Sequence, residues 1–194
     1  MLRILFTSVD ALIAGFILIP VYWYANRKYL RDPLRSGMYL LFSLYLCAVF
    51  SVAGLPDIRY MRFRPNINLE PFAYMFSDWS NSLLNVVLFL PMGFLLPKLW
   101  PGKFPLWKAL VFGFSGSLLI ELLQIFTYRA TDINDLITNT TGTAIGWALA
   151  RLCRPLFPGL PEGSGKDVLW VCAGAFFVMF FLHPFLSELL GMLL

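Results

Sequence analysis

Residues 121–139 read ELLQIFTYRATDINDLITN and lie between two strongly apolar segments of the chain. The stretch contains a predicted helix end, a short turn and the start of a second helix. Its charged and amide members are Glu121, Gln124, Arg129, Asp132, Asp135 and Asn139. In a soluble protein these groups would be ordinary surface. In a chain as apolar as this one, they mark the place where we expect the function to lie.

The composition of the whole chain indicates a membrane protein. Of its 194 residues, 59% are hydrophobic and 13% are charged, whereas about a quarter of the residues in a soluble domain are charged. The apolar runs are continuous rather than alternating, which favours spanning helices over a β-barrel. We therefore predict an all-α polytopic membrane protein, a single integral membrane domain over residues 1–194 that forms a bundle of about six transmembrane helices (five to six).

Six apolar segments are predicted to span the membrane. They cover residues 4–24, 36–53, 80–96, 109–128, 135–152 and 168–190. The last one belongs to a segment, 168–194, that exceeds one crossing at about 1.5 Å per residue. His183-Pro184 is expected to break or kink it, so whether this segment spans once stays open.

Basic residues in the loops predict the orientation. With six spans, loops one, three and five hold ten Lys and Arg residues, and the opposite side holds five. Because cytoplasmic loops are enriched in these residues, both termini are expected to be extracytoplasmic. The net charge of +4 is explained by these loops, so no nucleic-acid partner is predicted. Loops two and four, which contain the NLEPF segment 68–72 and the turn 129–135, share one side in either orientation.

Polar side chains recur at helical spacing on three predicted spans. Spacings of three, four and seven residues place such groups on one helical face. The set comprises Asp78 and Asn85 on span three, Glu121, Gln124 and Tyr128 on span four, and Asp135 and Asn139 on span five. With α-helical rise, Glu121 would lie about 12 Å below Arg129. We therefore predict an outward-facing intramembrane pocket that ends at Glu121.

Structural interpretations of the same residues stay open. A carboxylate at the depth of Glu121 costs about 2.5–3.5 kcal/mol on insertion scales, which favours a functional role. The amides, in contrast, can be interhelical hydrogen-bond partners. Asp132 and Asp135 can cap span five. The pair Gly142-x-x-x-Gly146 is typical of close helix packing.

The other ionisable residues give weaker indications. Asp10 is a second intramembrane acid, and whether it joins the pocket or faces the outer interface stays open. His183 is expected to have a structural role. No set of His and Cys residues suggests zinc. Glu121, Asp132 and Asp135 are a weak signal for magnesium, so we assign no metal, and the cofactor stays unknown.

The polar residues and their spacing resemble the signature of the VanZ-like family. The resemblance rests on Asn68-Leu69-Glu70-Pro71-Phe72, on Asp78, Asn85, Phe89, Pro91 and Gly93, on Glu121-x-x-Gln124, and on Arg129-x-x-Asp132-x-x-Asp135-x-x-x-Asn139-x-x-Gly142-x-x-x-Gly146. It covers residues 68–152, less than half of the chain. It implies a multi-pass protein of the bacterial cytoplasmic (inner) membrane and a link to reduced susceptibility to teicoplanin, a lipoglycopeptide that binds peptidoglycan precursors. It does not imply a reaction.

The preferred hypothesis is a membrane-embedded protein that acts on or binds an anionic envelope lipid or a lipid-linked cell-wall precursor. As an enzyme, it would use Glu121 as acid or base and Arg129 to bind the anionic group. Asp132 and Asp135 would orient Arg129 or a metal. The predicted substrate-binding residues are Asn68, Asp78, Asn85, Gln124 and Asn139.

Two further classes of function stay open. One is a proton-coupled transporter, or a lipid- or drug-binding membrane protein without catalysis. The other is an assembly partner that recruits envelope enzymes. The face that carries Gly142 and Gly146 is also a candidate surface for a homodimer.

Overall fold

The structure is a computed structural model that describes residues 2–59, 61–72, 79–155 and 164–193. Over these ranges its regular secondary structure is helical, apart from one pair of two-residue strands. Within the part of the chain that the structure describes, four helical segments are long and apolar enough to cross a membrane, namely Pro33–Ala53, Trp79–Leu99, Leu106–Gln124 and Asp167–Leu189. The predicted all-α membrane fold is therefore confirmed. The chain divides into two compact units, one made of Met1–Arg62 with Lys166–Leu194 (unit 1) and one of Phe63–Gly165 (unit 2).

Unit 1 is built from helices near the two ends of the chain. They are α1 (Leu2–Ala25), followed by a π turn at Asn26–Leu30, then α2 (Pro33–Ala53), α6 (Asp167–Phe177), a second π turn at Val178–Leu182, and α7 (His183–Leu193). Buried apolar residues of α1, α2, α6 and the second π turn form one cluster that includes Leu18, Cys47 and Met179. The cluster accounts for the packing of these segments into one unit.

The last helical segment does not break at His183-Pro184. The second π turn leads directly into α7, and the backbone N–H of His183 bonds back to the carbonyl of Val178. Proline has no N–H to donate and its ring crowds the preceding turn, so a wider turn before it accommodates the ring. The predicted disturbance at His183-Pro184 takes the form of a π turn, through which the helical segment continues.

Asp10 is held by side chains of unit 1. The hydroxyl of Ser51 donates to its Oδ2 atom, and the Nε2 atom of His183 lies 2.8 Å from its Oδ1 atom. Acids within membrane helices are usually paired in this way because an isolated charge is costly there. Both carboxylate oxygens of Asp10 are thus engaged within unit 1.

Among its described residues, unit 2 contains three helices and one short pair of strands. They are β1 (Ile67–Asn68), α3 (Trp79–Leu99), α4 (Leu106–Gln124), β2 (Thr131–Asp132) and α5 (Ile133–Leu152). The two strands pair in parallel, with Ile67 opposite Thr131 and Asn68 opposite Asp132. Helices α3 and α5 run in the same direction along each other, and α4 runs back against them. We call the end that carries β1 and β2 the strand end, and the opposite end, with residues 97–105 and 147–154, the basic end.

Glycines allow α3 and α5 to approach closely. A Cβ atom on Gly142 would overlap the carbonyl oxygen of Val86, and one on Gly146 would overlap that of Leu90. The close-packing interpretation of this glycine pair is therefore confirmed. Because α3 of the same chain covers this face, the face is not the open surface that we named for a homodimer. That part of the prediction is corrected, and dimerisation itself stays a prediction.

Candidate functional site

One face of α4 carries Glu121 into the interior of unit 2. The buried residues of this helix recur every three or four positions and are Ala109, Gly113, Ser117, Glu121 and Gln124. Large apolar side chains, among them Val111, Phe114, Leu118 and Leu122, are exposed on the remaining surface of the helix. A helix with small and polar residues inside and apolar residues outside suits a lipid environment. Glu121 is only 2% exposed, so its carboxylate lies within the protein.

Glu121 holds the chain that leads into α5. Its Oε2 atom accepts a hydrogen bond from the backbone N–H of Asp132 at 2.7 Å. Its own backbone carbonyl accepts one from the hydroxyl of Thr131 at 3.0 Å. Hydrogen bonds to charged groups are strong in a medium of low polarity. The side chain and the backbone of Glu121 together fix β2 beside the end of α4.

The predicted depth of Glu121 below Arg129 is corrected by this arrangement. The 12 Å estimate assumed that the helix continues to residue 128, whereas α4 ends at Gln124. The hydroxyl of Thr127 donates to the carbonyl of Gln124 and accepts the backbone N–H of Arg129. These bonds make a tight turn, and the chain folds back so that residues 131 and 132 lie level with Glu121.

Asp132 connects three segments of unit 2. It is the N-cap of α5, and its Oδ1 atom accepts from the backbone N–H and from the Nδ2 atom of Asn134, both at 2.9 Å. Its Oδ2 atom accepts from the Nδ2 atom of Asn68 at 3.2 Å. The capping interpretation of Asp132 is confirmed, since a side-chain oxygen satisfies an N–H group at the helix start. The same carboxylate also ties α5 to β1.

The NLEPF segment is docked onto the start of α5 through Asn134. The Oδ1 atom of Asn134 accepts the backbone N–H of Phe72 at 2.6 Å, and its Nδ2 atom donates to the carbonyl of Glu70 at 3.3 Å. The backbone of Phe72 has a φ angle of 64°, which lies in the left-handed region that bulky residues rarely adopt. The predicted position of this segment on the same side as the 129–135 turn is confirmed, because the two are directly bonded.

Two further polar pairs link the helices of unit 2. The Nδ2 atom of Asn85 on α3 donates to the Oδ1 atom of Asp135 on α5 at 2.6 Å. Deeper in the unit, the Nδ2 atom of Asn139 donates to the hydroxyl oxygen of Ser117 on α4 at 2.9 Å. Asn85 and Asn139 thus act as interhelical hydrogen-bond donors, which was one of the interpretations left open by their sequence positions.

Two arginines accompany the turn between α4 and β2. Arg129 lies within the turn and is half-buried. Arg64 is exposed, its backbone N–H donates to the carbonyl of Ile125, and its guanidinium lies over the ring of Tyr128 at 4.5 Å. The strand end therefore presents basic side chains beside a buried set of carboxylates and amides.

Most of the predicted site residues lie in or beside one hydrogen-bonded network. The structure brings Asn68, Glu121 and Asp132 into one hydrogen-bonded network, with Asn85–Asp135 and Asn139–Ser117 as neighbouring helix-to-helix pairs. Gln124 is buried at the end of α4. Asp78 lies outside the described residues.

The sequence interpretation missed Ser117, Thr131 and Asn134. A signal existed for Asn134, because an Asp followed two positions later by Asn at a helix start is typical of a side-chain-bonded turn.

In the described part of the chain, no three His, Cys, Asp or Glu side chains are arranged to hold a metal ion.

Comparison with known proteins assigns the chain to a family. The VanZ/LLP1 family model matches residues 36–154, from α2 to just beyond α5. The chain belongs to the VanZ/LLP1 family. Protein VanZ of Enterococcus faecium is 37% identical to it over 90 residues, which cover 45% of this chain and 53% of that relative. The match thus spans about half the length of VanZ. No solved structure is significantly similar to this VanZ/LLP1 member.

Proposed function

We propose that this VanZ/LLP1 protein contributes to reduced susceptibility to teicoplanin-type lipoglycopeptides in a bacterial cytoplasmic membrane. In this proposal the strand end of unit 2 binds an anionic envelope lipid or a lipid-linked cell-wall precursor. The family resemblance supports the antibiotic theme. The chemistry of the strand end supports the kind of ligand.

The observation that carries the proposal is the network around Asp132. It joins β1, the end of α4 and the start of α5 through side chains of Asn68, Glu121 and Asn134. A cap alone needs one of these contacts, and the others order two loops against each other. Ordering of loops before binding reduces the entropy lost when a ligand is held. The network thus supports a preformed binding surface at the end of the helices.

The polar groups of the strand end divide into two roles. Glu121 and Asp132 accept hydrogen bonds from the protein itself, which suits them to positioning the loops. Arg129 lies in the ordered turn, and its planar guanidinium is suited to a phosphate or carboxylate. In our proposal Arg129 contacts the anionic group of the ligand, with Arg64 contributing at the exposed edge.

Susceptibility testing of Arg129→Gln examines this proposal. The full chain and the variant are expressed in a susceptible Gram-positive host, and minimum inhibitory concentrations of teicoplanin are measured. Loss of one charged contact, worth about 1.5–3 kcal/mol, weakens binding by about tenfold or more. We expect the variant to lose the protection that the unchanged chain gives.

Arg27→Gln is the matched control, because it removes the same charge from an arginine of unit 1, one that lies 4.4 Å from the ring of Trp23. This control is expected to protect like the unchanged chain. Membrane levels and the melting temperature of each purified variant exclude misfolding as the cause. Full protection by a normally expressed Arg129→Gln variant would refute the role of Arg129. Lack of protection by the unchanged chain would refute the proposed function.

A further inference from the structure

A cavity of about 660 Å³ opens at the basic end of unit 2. The end of α3, the loop at residues 101–105 and the end of α5 form its walls. Its lining includes Lys98, Phe104, Trp147, Arg151 and Arg154, together with three prolines. The volume lies within the range of about 300–1,000 Å³ that is typical of small-ligand sites.

The charges that line this cavity have one sign. Three of the lining residues are cations, and none is an acid. Lys98 is 6% exposed, although it belongs to a residue type that is rarely buried. Its ammonium lies 5.8 Å from the ring of Phe94, and the guanidinium of Arg151 lies 5.2 Å from the ring of Trp147. Like charges gathered around a cavity raise each other's energy, and a bound anion relieves that repulsion.

The apolar part of the cavity wall is held in place by the protein. The indole Nε1 atom of Trp147 donates to the carbonyl of Phe104 at 3.1 Å. The ring of Phe104 also contacts the rings of Trp100 and Phe112. These contacts fix the loop at residues 101–105 against α4 and α5. The result is a pocket with cations on one part of its wall and aromatic and proline surface on the other.

We propose that this cavity binds the phosphate of an anionic phospholipid headgroup. The cations match the phosphate, and the aromatic and proline surface matches the glycerol and the first methylene groups of the acyl chains. Leu152, at the end of α5 beside the cavity, is exposed and apolar, which suits a ligand that extends into the bilayer. Basic pockets between helices on the cytoplasmic side bind such headgroups, and the loop charges predict that side for this end. The inference is independent of the function proposed for the strand end.

Native mass spectrometry of the full chain in detergent tests this proposal. Phosphatidylglycerol and phosphatidylcholine with identical acyl chains are offered in equal amounts, and bound lipid is counted. We expect phosphatidylglycerol to be retained about tenfold better, which corresponds to one well-placed charged contact. The double variant Arg151→Gln/Arg154→Gln is expected to lose this preference.

Lys103→Gln/Lys108→Gln is the matched control, because it removes two cations from the neighbouring region that do not line the cavity. It is expected to keep the preference. Should the double arginine variant fail to fold, Arg154→Glu serves instead, since Arg154 is exposed, and it is expected to abolish the preference by charge reversal.

Three results would overturn the proposal. They are equal retention of the two lipids by the unchanged chain, an undiminished preference in the folded cavity variants, and complete displacement of the lipid by millimolar inorganic phosphate. The last result would assign the cavity to a free anion rather than to a lipid.

Discussion

The two ends of unit 2 use charged side chains in opposite ways. At the strand end, the carboxylates of Glu121, Asp132 and Asp135 accept hydrogen bonds from backbone or amide groups of the same unit. At the basic end, Lys98, Arg151 and Arg154 surround a cavity that no acid lines. One end has its carboxylates bound into the fold, whereas the other gathers its cations around a cavity.

This difference separates carboxylates that stabilise the fold from cations that line a cavity within one small unit. A buried charge is tolerated when donors and acceptors surround it, because an unpaired one is costly. The strand end meets this condition through protein groups alone. At the basic end the lining of the cavity offers cations and no acid, which in our proposal an anionic lipid headgroup balances. Variants can therefore be sorted by whether they lower stability, ligand binding or both.

The α3–α5 contact joins the two ends, and Gly146→Ala should produce the largest effect. The added Cβ would overlap the carbonyl oxygen of Leu90, so the helices must separate. Overpacking of a buried contact costs about 1–3 kcal/mol, and occasionally more, and a backbone carbonyl cannot move aside like a side chain. We expect the melting temperature of the purified protein to fall sharply, together with both lipid preference and antibiotic protection.

Gly174→Ala is the control for that variant. Gly174 also lies in a helix, but no heavy atom approaches the position of its Cβ within 4 Å. Alanine favours the helix by up to about 1 kcal/mol relative to glycine, so this variant should be as stable as the unchanged chain or slightly more so. Equal melting temperatures for the two variants would contradict the close contact between α3 and α5.

Substitutions of Glu121 test whether the strand end is a hydrogen-bonded network that positions loops or a catalytic centre. A glutamine at this position would retain a side-chain oxygen that can accept the backbone N–H of Asp132, whereas an alanine would leave that N–H without its acceptor. We therefore expect Glu121→Ala to cost about 1–3 kcal/mol of unfolding free energy, and Glu121→Gln clearly less. The melting temperatures of both variants, measured beside teicoplanin susceptibility, check this.

The antibiotic readout of these two variants separates the hypotheses. If Glu121 positions the loops, Glu121→Gln keeps most of the protection and Glu121→Ala loses it. If Glu121 is a catalytic acid or base, glutamine removes the chemistry and both variants lose protection at normal expression. An inactive but stable Glu121→Gln variant would therefore favour the enzyme hypothesis over the positioning role.

The helical membrane fold could be predicted from the sequence because its signals are local and repeated. Long apolar runs indicate spanning helices, and the Gly142–Gly146 spacing indicates close packing, without knowledge of the partner. The partner itself could not be predicted. The same glycine face suits a second copy of the chain or another helix of its own, and only the fold shows that α3 covers it.

Less of the candidate site could be predicted from the sequence, because its contacts depend on the residue at which α4 ends. The apolar pattern continues from Leu122 to Tyr128, which extends the predicted helix by a turn beyond Gln124. The observed end at Gln124 returns the chain to Glu121 and makes it a partner of Asp132. The cavity at the basic end was missed for a different reason. Its cations lie on separate elements and were interpreted as topology signals, which carry no information about shape.

Trp147→Phe should give the smallest effect and tests whether the shape of the basic end matters as well as its charge. The variant keeps an aromatic ring beneath Arg151 but removes the N–H that binds the carbonyl of Phe104. Loss of one neutral hydrogen bond costs about 0.5–1.5 kcal/mol, so the melting temperature should fall slightly. The loop at residues 101–105 is then held less firmly, and the preference for phosphatidylglycerol should weaken without disappearing, since all three cations remain. Protection against teicoplanin should stay unchanged because the strand end is untouched. An unaltered lipid preference in this variant would mean that the cations alone select the lipid, and a loss of protection would mean that the two ends are coupled.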